Sequence, residues 1–167
     1  FLAGQDTTTL TICAALHLLA EHPEVQEKMR KEVLTVFGKD EYKNGKFQIP
    51  TNEQLNKLEY TYAVMQETMR LYPAVSVINH RVALKDIHHR GHTIPAGTLV
   101  NTIVYAIHRN PKYFKNPNEF LPSRFLNGNI DTKKFESNWF PFSSGSRVCL
   151  GATFSTTQQK IVLSYIL

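Results

Sequence analysis

A cysteine near the carboxyl end of the chain has neighbours that favour its thiolate, the form that binds a metal. Cys149 lies between Gly145 and Gly151, two residues after Arg147 and directly before an apolar helical pattern. The free N–H groups and positive dipole end of a helix N-terminus, with a guanidinium nearby, stabilise a thiolate. Both glycines allow positive φ angles and a close backbone approach to a flat cofactor, and Phe142 gives the sulfur an apolar neighbour. The pattern therefore predicts that Cys149 binds the metal of a flat cofactor.

The alternative is that Cys149 is a buried, inert core thiol, as free cysteines often are. The spacing of residues 142 to 151 argues against it, because FSSGSRVCLG resembles the cytochrome P450 signature Phe-x-x-Gly-x-Arg-x-Cys-x-Gly and matches every fixed position. The resemblance implies haem b with Cys149 as axial ligand, whose thiolate donates electron density to the iron. One departure, Ser155 in place of the family's usual Ala, bears only on local helix packing. The resemblance implies further cofactor-contacting residues in this segment: Phe142, Gly145, Arg147 and Gly151.

A carboxylate and a guanidinium stand one helical turn apart in the middle of the chain. Glu67 and Arg70 can pair at i and i+3, although such pairs are common on exposed helices and stabilise them little. The family has this Glu-x-x-Arg pair together with a Phe-x-Pro-x-Arg-Phe segment, which residues 120 to 125 fit. The resemblance implies that Glu67, Arg70 and Arg124 form a buried network that supports haem binding.

The beginning of the chain carries small and hydroxyl residues in a helical pattern. Residues 3 to 8, AGQDTT, resemble the oxygen-binding helix of the same family. Ala3 and Gly4 leave room for dioxygen, and the acid Asp6 beside the alcohol Thr7 can relay protons. The alternative is that Asp6, Thr7 and Thr8 are ordinary residues of a helix start.

The resemblance also implies cations for the haem propionates and a segment that faces the substrate. Arg81 follows an apolar segment at the place where the family offers a cation, and Arg147 can act in the same way through bidentate bonding. An ordinary surface arginine is the alternative for Arg81. The side chains expected to face the substrate are Ala3, Ala74, Val75, Val77 and Ile78.

Apolar residues at helical spacing predict the helices that must position these groups. The first helix covers residues 1 to 20, and the second begins at Pro23 and ends at Gly38. Thr51 has capping-box spacing and begins a third helix that Pro73 ends.

A small β region and a long coil follow. Residues 75 to 78 and 99 to 105 are rich in β-branched side chains, and residues 94 to 97 form a turn between them. Residues 110 to 145 contain several prolines and aromatics, which predicts an ordered, packed meander before the final helix. The predicted fold class is mainly α with a small β region.

Histidines offer a second set of candidate metal ligands. His88, His89 and His92 are close in sequence, but no motif such as His-Glu-x-x-His accompanies them, and exposed imidazoles near a hairpin turn are expected. His108, which precedes Arg109, is expected to donate or accept hydrogen bonds in the coil.

Composition excludes several classes of protein. The 167 residues are 42% hydrophobic and 11% aromatic, typical of one globular domain or part of one. The net charge of +5 is scattered and lacks a nucleic-acid motif, so no nucleic-acid binding is expected. Two distant cysteines argue against a disulfide framework and a zinc site. No apolar stretch reaches the roughly 18 residues that span a bilayer, and any membrane anchor is expected outside the chain.

The resemblance spans the whole chain and implies the cytochrome P450 fold, cut at both ends. Residues 1 to 167 are expected to be a partial single domain, the C-terminal portion of such an enzyme. The implied activity is insertion of one oxygen atom of O2 into a hydrophobic organic substrate, with electrons from a reductase, at the endoplasmic reticulum membrane.

Two alternatives retain the haem-thiolate chemistry. The first is an isomerase or dehydratase that acts on a hydroperoxide without activating O2, and the intact Asp6–Thr7 pair argues against it. The second is a non-catalytic haem-binding sensor or carrier. Oxygen-dependent product formation in the presence of a reductase distinguishes these possibilities.

Overall fold

The computed structural model describes residues 2–38, 49–126 and 138–167. We number its helices α1 Leu2–Glu21, α2 Pro23–Phe37, α3 Asn52–Asn56, α4 Glu59–Leu71, α5 Val104–His108 and α6 Ala152–Ile166. The strands are β1 Val77–Val82, β2 Ile87–His89, β3 His92–Ile94 and β4 Leu99–Ile103. The structure is mainly helical with small antiparallel sheets, which confirms the predicted fold class.

The main core lies where α1, α2, α4 and α6 meet. Leu19, Met29, Met65 and Leu163 contribute one fully buried side chain from each of these helices. Burial of this apolar surface holds the four helices together. Packing of α1 against α6 also brings the first turns of α1 beside the start of α6, directly after the cysteine loop.

Two two-stranded sheets flank the helices. β1 pairs antiparallel with β4, with Val77 opposite Ile103 and Val82 opposite Leu99, and the register shifts between Ile78 and Arg81. β2 and β3 form a hairpin that carries the three clustered histidines on exposed positions, as the sequence predicts. No helix within the described residues is both long and apolar enough to cross a bilayer.

The predicted helices before residue 38 are confirmed, but the third predicted helix is two helices. Thr51 caps α3 with the predicted capping box. The helical path then breaks at Lys57 and Leu58, and α4 starts at Glu59. Leu58 is fully buried beside Val33. The free energy gained by burying its side chain there exceeds the free energy that a continuous helix would gain. The prediction of a single helix up to Pro73 was wrong for this reason.

The β-branched segments also differ from their predicted bounds. β1 begins at Val77 rather than Val75, because the chain bends directly after Pro73. β4 ends at Ile103, and Val104 begins α5 with its side chain buried. Tertiary burial overrides local β propensity here.

The coil before the cysteine is ordered wherever it is described. Phe114 and Phe120 are buried, and the rings of Phe125 and Trp139 lie 5.2 Å apart. This agrees with the packed meander that the sequence predicts. Residues 127 to 137 lie outside the described residues.

Candidate functional site

The cysteine loop closes on itself just before α6. The Cys149 N–H donates to the Phe142 carbonyl at 2.9 Å, and the Val148 N–H donates to the Gly145 carbonyl at 3.1 Å. Gly145 has a φ of +70°, the positive value expected from the sequence. The loop therefore presents an exposed Cys149 thiol on a backbone path that glycine makes possible.

The conformation of Gly151 differs from the prediction. Its φ is −87°, because it is the N-cap of α6 and already turns the chain into the helix. A Cβ built on Gly151 would lie 3.9 Å from the Cys149 Sγ. The absence of a side chain thus leaves one side of the sulfur open, although the expected positive φ was wrong.

A cavity of about 710 Å³ opens at Cys149. Its walls come from the first turns of α1, the end of α4, the segment after Pro73, β1, the cysteine loop and α6. Most of the lining is apolar. The cavity brings together most of the residues singled out from the sequence: Ala3, Thr7, Ala74, Val75, Ile78, Arg81, Phe142, Arg147, Cys149 and Gly151.

Three of the residues expected to contact cofactor, oxygen or substrate do not line this cavity. Asp6 is exposed on α1, because its side chain leaves the helix about 100° around the axis from the side chain of Thr7. Val77 precedes Ile78 in β1 and points to the opposite face, since side chains alternate along a strand. Gly145 lies within the cysteine loop, away from the cavity wall.

Hydroxyl groups follow the face of α1 that lines the cavity. The Thr7 hydroxyl donates to the Ala3 carbonyl at 2.7 Å, and the Thr11 hydroxyl donates to the Thr7 carbonyl at 3.0 Å. Such bonds to the preceding turn are associated with helix bending. The Thr7 oxygen keeps lone pairs that can accept a hydrogen bond from a group in the cavity.

The predicted contact between Glu67 and the two arginines is present. Glu67 and Arg70 are both fully buried, and Arg70 Nε and Nη2 donate to the carboxylate at 2.7 and 2.9 Å. Arg124 Nε donates to Glu67 Oε1 at 3.1 Å, and the Leu121 N–H donates to the same oxygen at 2.9 Å. The buried carboxylate is therefore matched by cations and by a backbone donor.

Both arginines extend this network to the coil. The remaining guanidinium hydrogens of Arg70 reach the carbonyls of His108 at 2.9 Å, Pro117 at 2.6 Å and Glu119 at 3.0 Å. Arg124 donates to the Lys115 and Asn116 carbonyls. Every donor of Arg70 is thus used, and α4 is attached to the coil that leads towards the cysteine.

His108 connects this network to the start of the cysteine loop. Its side chain is fully buried, and its Nε2 accepts a hydrogen bond from the Phe140 N–H at 3.1 Å. Burial above all, and the positive charges of Arg70 and Arg109, lower the pKa of His108 from its ordinary 6.5 to about 4. The imidazole is therefore neutral at pH 7, with its proton on Nδ1. The expected hydrogen-bonding role of His108 is confirmed.

The residues around the cavity fit a large, flat, mainly apolar cofactor that carries acidic groups. Leu150, Phe154 and Val148 stand beside Cys149 with exposed fractions of 103%, 69% and 57%. Exposed apolar side chains grouped at a cavity are typical of a surface that a ligand covers. Arg81 and Arg147 lie in the same wall, where guanidinium groups can bind carboxylates in a bidentate manner.

Comparison with known proteins agrees with this geometry. The sequence model of the family described as Cytochrome P450 matches residues 1–167. The chain belongs to the cytochrome P450 family. Cytochrome P450 4V2 of Homo sapiens is 40% identical to it over 98% of the chain and 30% of the relative. Cytochrome P450 4c21 of Blattella germanica is 38% identical over 98% of the chain and 31% of the relative. Secologanin synthase 1 of Catharanthus roseus is 38% identical over 100% of the chain and 30% of the relative.

The chain spans about three tenths of the length of these cytochrome P450 relatives. Proteins of this family bind haem b through a cysteine thiolate. In this chain the cysteine of the family signature is Cys149, and the cavity that it lines is the candidate haem site.

Some residues of the P450 cavity were missed from the sequence. Thr8 lies four positions after Gly4 and Thr11 four after Thr7, so helical periodicity could have found both. Phe154 and Ser155 follow Gly151 at i+3 and i+4, which is the same signal. Ser143 and Leu150 occupy variable positions of the signature segment, and Phe140 and Pro141 directly precede it. Met69 and Val104 come from distant segments and share no sequence pattern with the rest.

Proposed function

We propose that this chain is part of a haem-thiolate monooxygenase that inserts one oxygen atom of O2 into a hydrophobic organic substrate. The observation that carries the proposal is an exposed cysteine thiol, within the family signature, on the wall of a mainly apolar cavity. Bound haem supplies the iron at which O2 is reduced and from which oxygen is transferred. Electrons come from a reductase.

The cysteine loop is proposed to hold the cofactor. The Cys149 thiolate would bind the iron and donate electron density to it, and Phe142 would shield the sulfur from water. Gly145 gives the loop its path, and Gly151 leaves the sulfur uncovered by a side chain. Arg81 and Arg147 would bind the propionates.

The part of the cavity wall formed by α1 is proposed to transfer protons. The Thr7 hydroxyl donates to the Ala3 carbonyl, and its oxygen can accept a hydrogen bond in the cavity that Cys149 also lines. Asp6 is the adjacent exposed acid and would exchange protons between Thr7 and solvent. Because Asp6 does not line the cavity, it acts in this proposal through Thr7 or a water molecule.

Substrate binding is proposed for the apolar part of the cavity. Ala74, Val75 and Ile78 lie after α4 in the wall shared with Ala3. These side chains offer no charge, which favours an apolar substrate and excludes water from the reaction. Val77 does not line the cavity and is therefore outside the proposed substrate pocket.

A cellular location follows from the same proposal. The compared relatives come from an insect, a mammal and a plant, and we propose the cytosolic face of the endoplasmic reticulum membrane. A membrane anchor is proposed for another part of the protein. No helix of the described residues is both long and apolar enough to cross a bilayer. Cell fractionation of the tagged full-length protein tests this location.

The decisive experiment uses the full-length protein, reduced and exposed to carbon monoxide. We expect the red-shifted absorption band of thiolate-ligated haem, and we expect Cys149→Ser to abolish it. Cys13→Ser is the matched control, because this second exposed cysteine lies on α1 and does not line the cavity, and it should keep the band.

A histidine-type spectrum, or a band that survives Cys149→Ser, would refute the assignment. Oxygen-dependent product formation with a reductase then separates a monooxygenase from the two alternatives. A hydroperoxide isomerase or dehydratase would turn over without O2 and reductant, and a sensor would bind haem without forming product.

A further inference from the structure

A series of side-chain hydrogen bonds joins α1 to α6 at the edge of the cavity. The Thr8 and Ser155 hydroxyls lie 2.9 Å apart, although the residues are 147 positions apart in sequence. Gln159 Nε2 donates to the Ser155 oxygen at 3.0 Å. Thr8 and Gln159 are 2% and 1% exposed, and Ser155 between them is partly buried. Thr8 and Ser155 both line the cavity that Cys149 opens into.

Thr8 uses its hydroxyl differently from its neighbours on α1. Thr7 and Thr11 donate to carbonyls of their own helix, whereas the Thr8 hydroxyl pairs across to α6. At the start of α6, the Ser155 N–H donates to the Gly151 carbonyl at 2.8 Å, in the first turn after the cysteine loop. A short path of hydrogen bonds thus runs from the loop through Ser155 to α1.

Thr8 lies ahead of the apolar contacts of α1. Within the described residues, Thr8 and Thr11 are the buried residues of α1 before Ala15, and the partly buried Ile12 packs against the main core one turn after Thr8. A polar pair therefore joins α1 to α6 at the cavity, and apolar packing begins one turn further along α1.

We propose that Ser155 and Thr8 are positioning residues that set the separation between the α1 wall and the cysteine loop. By fixing that separation they set the clearance between Cys149 and the face of α1 that carries Gly4 and Thr7. Gln159 orients Ser155 for this pairing. The inference rests on the proposed haem-thiolate function, because clearance above the thiolate matters only when haem is bound there.

The test measures the affinity of full-length, haem-loaded protein for imidazole, a compact ligand that binds the iron opposite the thiolate. The variants are Ser155→Ala, Thr8→Val and the double variant, and affinity is read from difference spectra of the ferric protein. Loss of the hydroxyl pair frees α1 to recede, so each single variant should bind imidazole about three- to tenfold more tightly, the worth of one hydrogen bond.

The double variant should bind imidazole no more tightly than the stronger single variant, because both changes break the same pair. Thr8→Ser, which keeps a hydroxyl, should restore wild-type affinity. Thr9→Val is the matched control, since Thr9 is exposed beside Thr8 and absent from the cavity wall, and it should change nothing.

The proposal fails if the single variants bind imidazole within twofold of wild type or more weakly, or if their effects add in the double variant. If one single variant does not fold, the other reports on the same pair. The carbon monoxide band distinguishes this failure from failure of the proposed function. An intact thiolate band with unchanged imidazole affinity refutes only the positioning role, whereas a missing band in the wild type refutes the haem-thiolate assignment itself.

Discussion

At the scale of single residues, Glu67 is the group whose loss should cost most. Its carboxylate is fully buried and is held by Arg70, Arg124 and the Leu121 N–H. Removing the charge would leave two guanidinium groups without their counter-ion in a buried place. The sequence motif indicates this network, but the coil carbonyls that complete it were not predictable, because they lie 38 to 49 residues from Arg70.

We predict that Glu67→Gln in the full-length protein prevents haem incorporation rather than only slowing turnover. A broken buried ion pair destabilises a fold by about 3–5 kcal/mol. Haem content per polypeptide and the carbon monoxide band measure the effect. Glu53→Gln is the control, because the Glu53–Lys57 pair is exposed and such pairs contribute little. Normal haem loading by Glu67→Gln would contradict a structural role for the network.

His108 is the second residue whose environment differs sharply from solvent. Its neutral imidazole accepts the Phe140 N–H, directly before the cysteine loop. Since burial lowers its pKa from 6.5 to about 4, the unfolded chain binds a proton that the folded chain excludes between these values. The contribution of His108 to the free energy of unfolding is therefore fully present above about pH 6.5 and is lost as the pH drops towards 4.

We predict that acidification from pH 7 to pH 4.5 lowers the melting temperature of the full-length protein, with His108 contributing at most about 3 kcal/mol. His108→Gln keeps an acceptor but cannot titrate, so it should flatten this pH dependence. His17→Gln, which changes an exposed histidine, should leave the dependence as it is in the wild type. An unchanged slope in His108→Gln would refute the assignment of this titration to His108.

At the scale of secondary structure, α4 begins with a cap that comes from another helix. Glu32 of α2 accepts the Tyr60 and Thr61 N–H groups at 2.6 and 2.8 Å and the Thr61 hydroxyl at 2.8 Å. The N-cap residue Leu58 supplies no side-chain acceptor. A carboxylate at a helix N-terminus satisfies free donors and complements the dipole. Because α4 carries Glu67, this cap supports the ion-pair network.

We predict that Glu32→Ala lowers the free energy of unfolding by about 1–3 kcal/mol, since the Tyr60 and Thr61 N–H groups lose their acceptor. Thermal or urea unfolding of the full-length protein measures the change. Glu27→Ala, on the same helix, removes an exposed carboxylate 3.7 Å from Arg30 and should cost less than about 0.5 kcal/mol. Equal losses from both substitutions would argue against the capping role.

At the scale of the whole molecule, apolar side chains next to Cys149 are exposed. Leu150, Phe154 and Val148 expose most of their surface beside Cys149. The cytochrome P450 relatives are about three times as long as this chain, and further parts of such a protein would contribute to the covering of these side chains.

We predict that residues 1 to 167, expressed alone, are poorly soluble and do not retain haem, because exposed apolar surface favours association. Size-exclusion chromatography and the absorbance of added haem measure both properties. The full-length protein is the control and should retain haem. Stable haem binding by the 167-residue chain would contradict the prediction.

Local sequence determined much of this protein. The spans of α1 and α2, the capping box at Thr51 and the signature around Cys149 all depend on residues within a few positions of one another, and all could be predicted. The family and its cofactor follow from the same short-range spacing. The helix break at Leu58 and the start of α5 could not be predicted from local sequence, because burial against distant segments decided them.

Only the tertiary structure decided which side chains share the site. It placed Thr7 in the cavity wall and left Asp6 in solvent, and it brought Glu32 to the start of α4. It also paired Thr8 with Ser155 across 147 positions. Spacing within one segment encodes the face that a residue occupies. It does not encode the segment that packs on that face, because that choice depends on apolar burial throughout the whole chain.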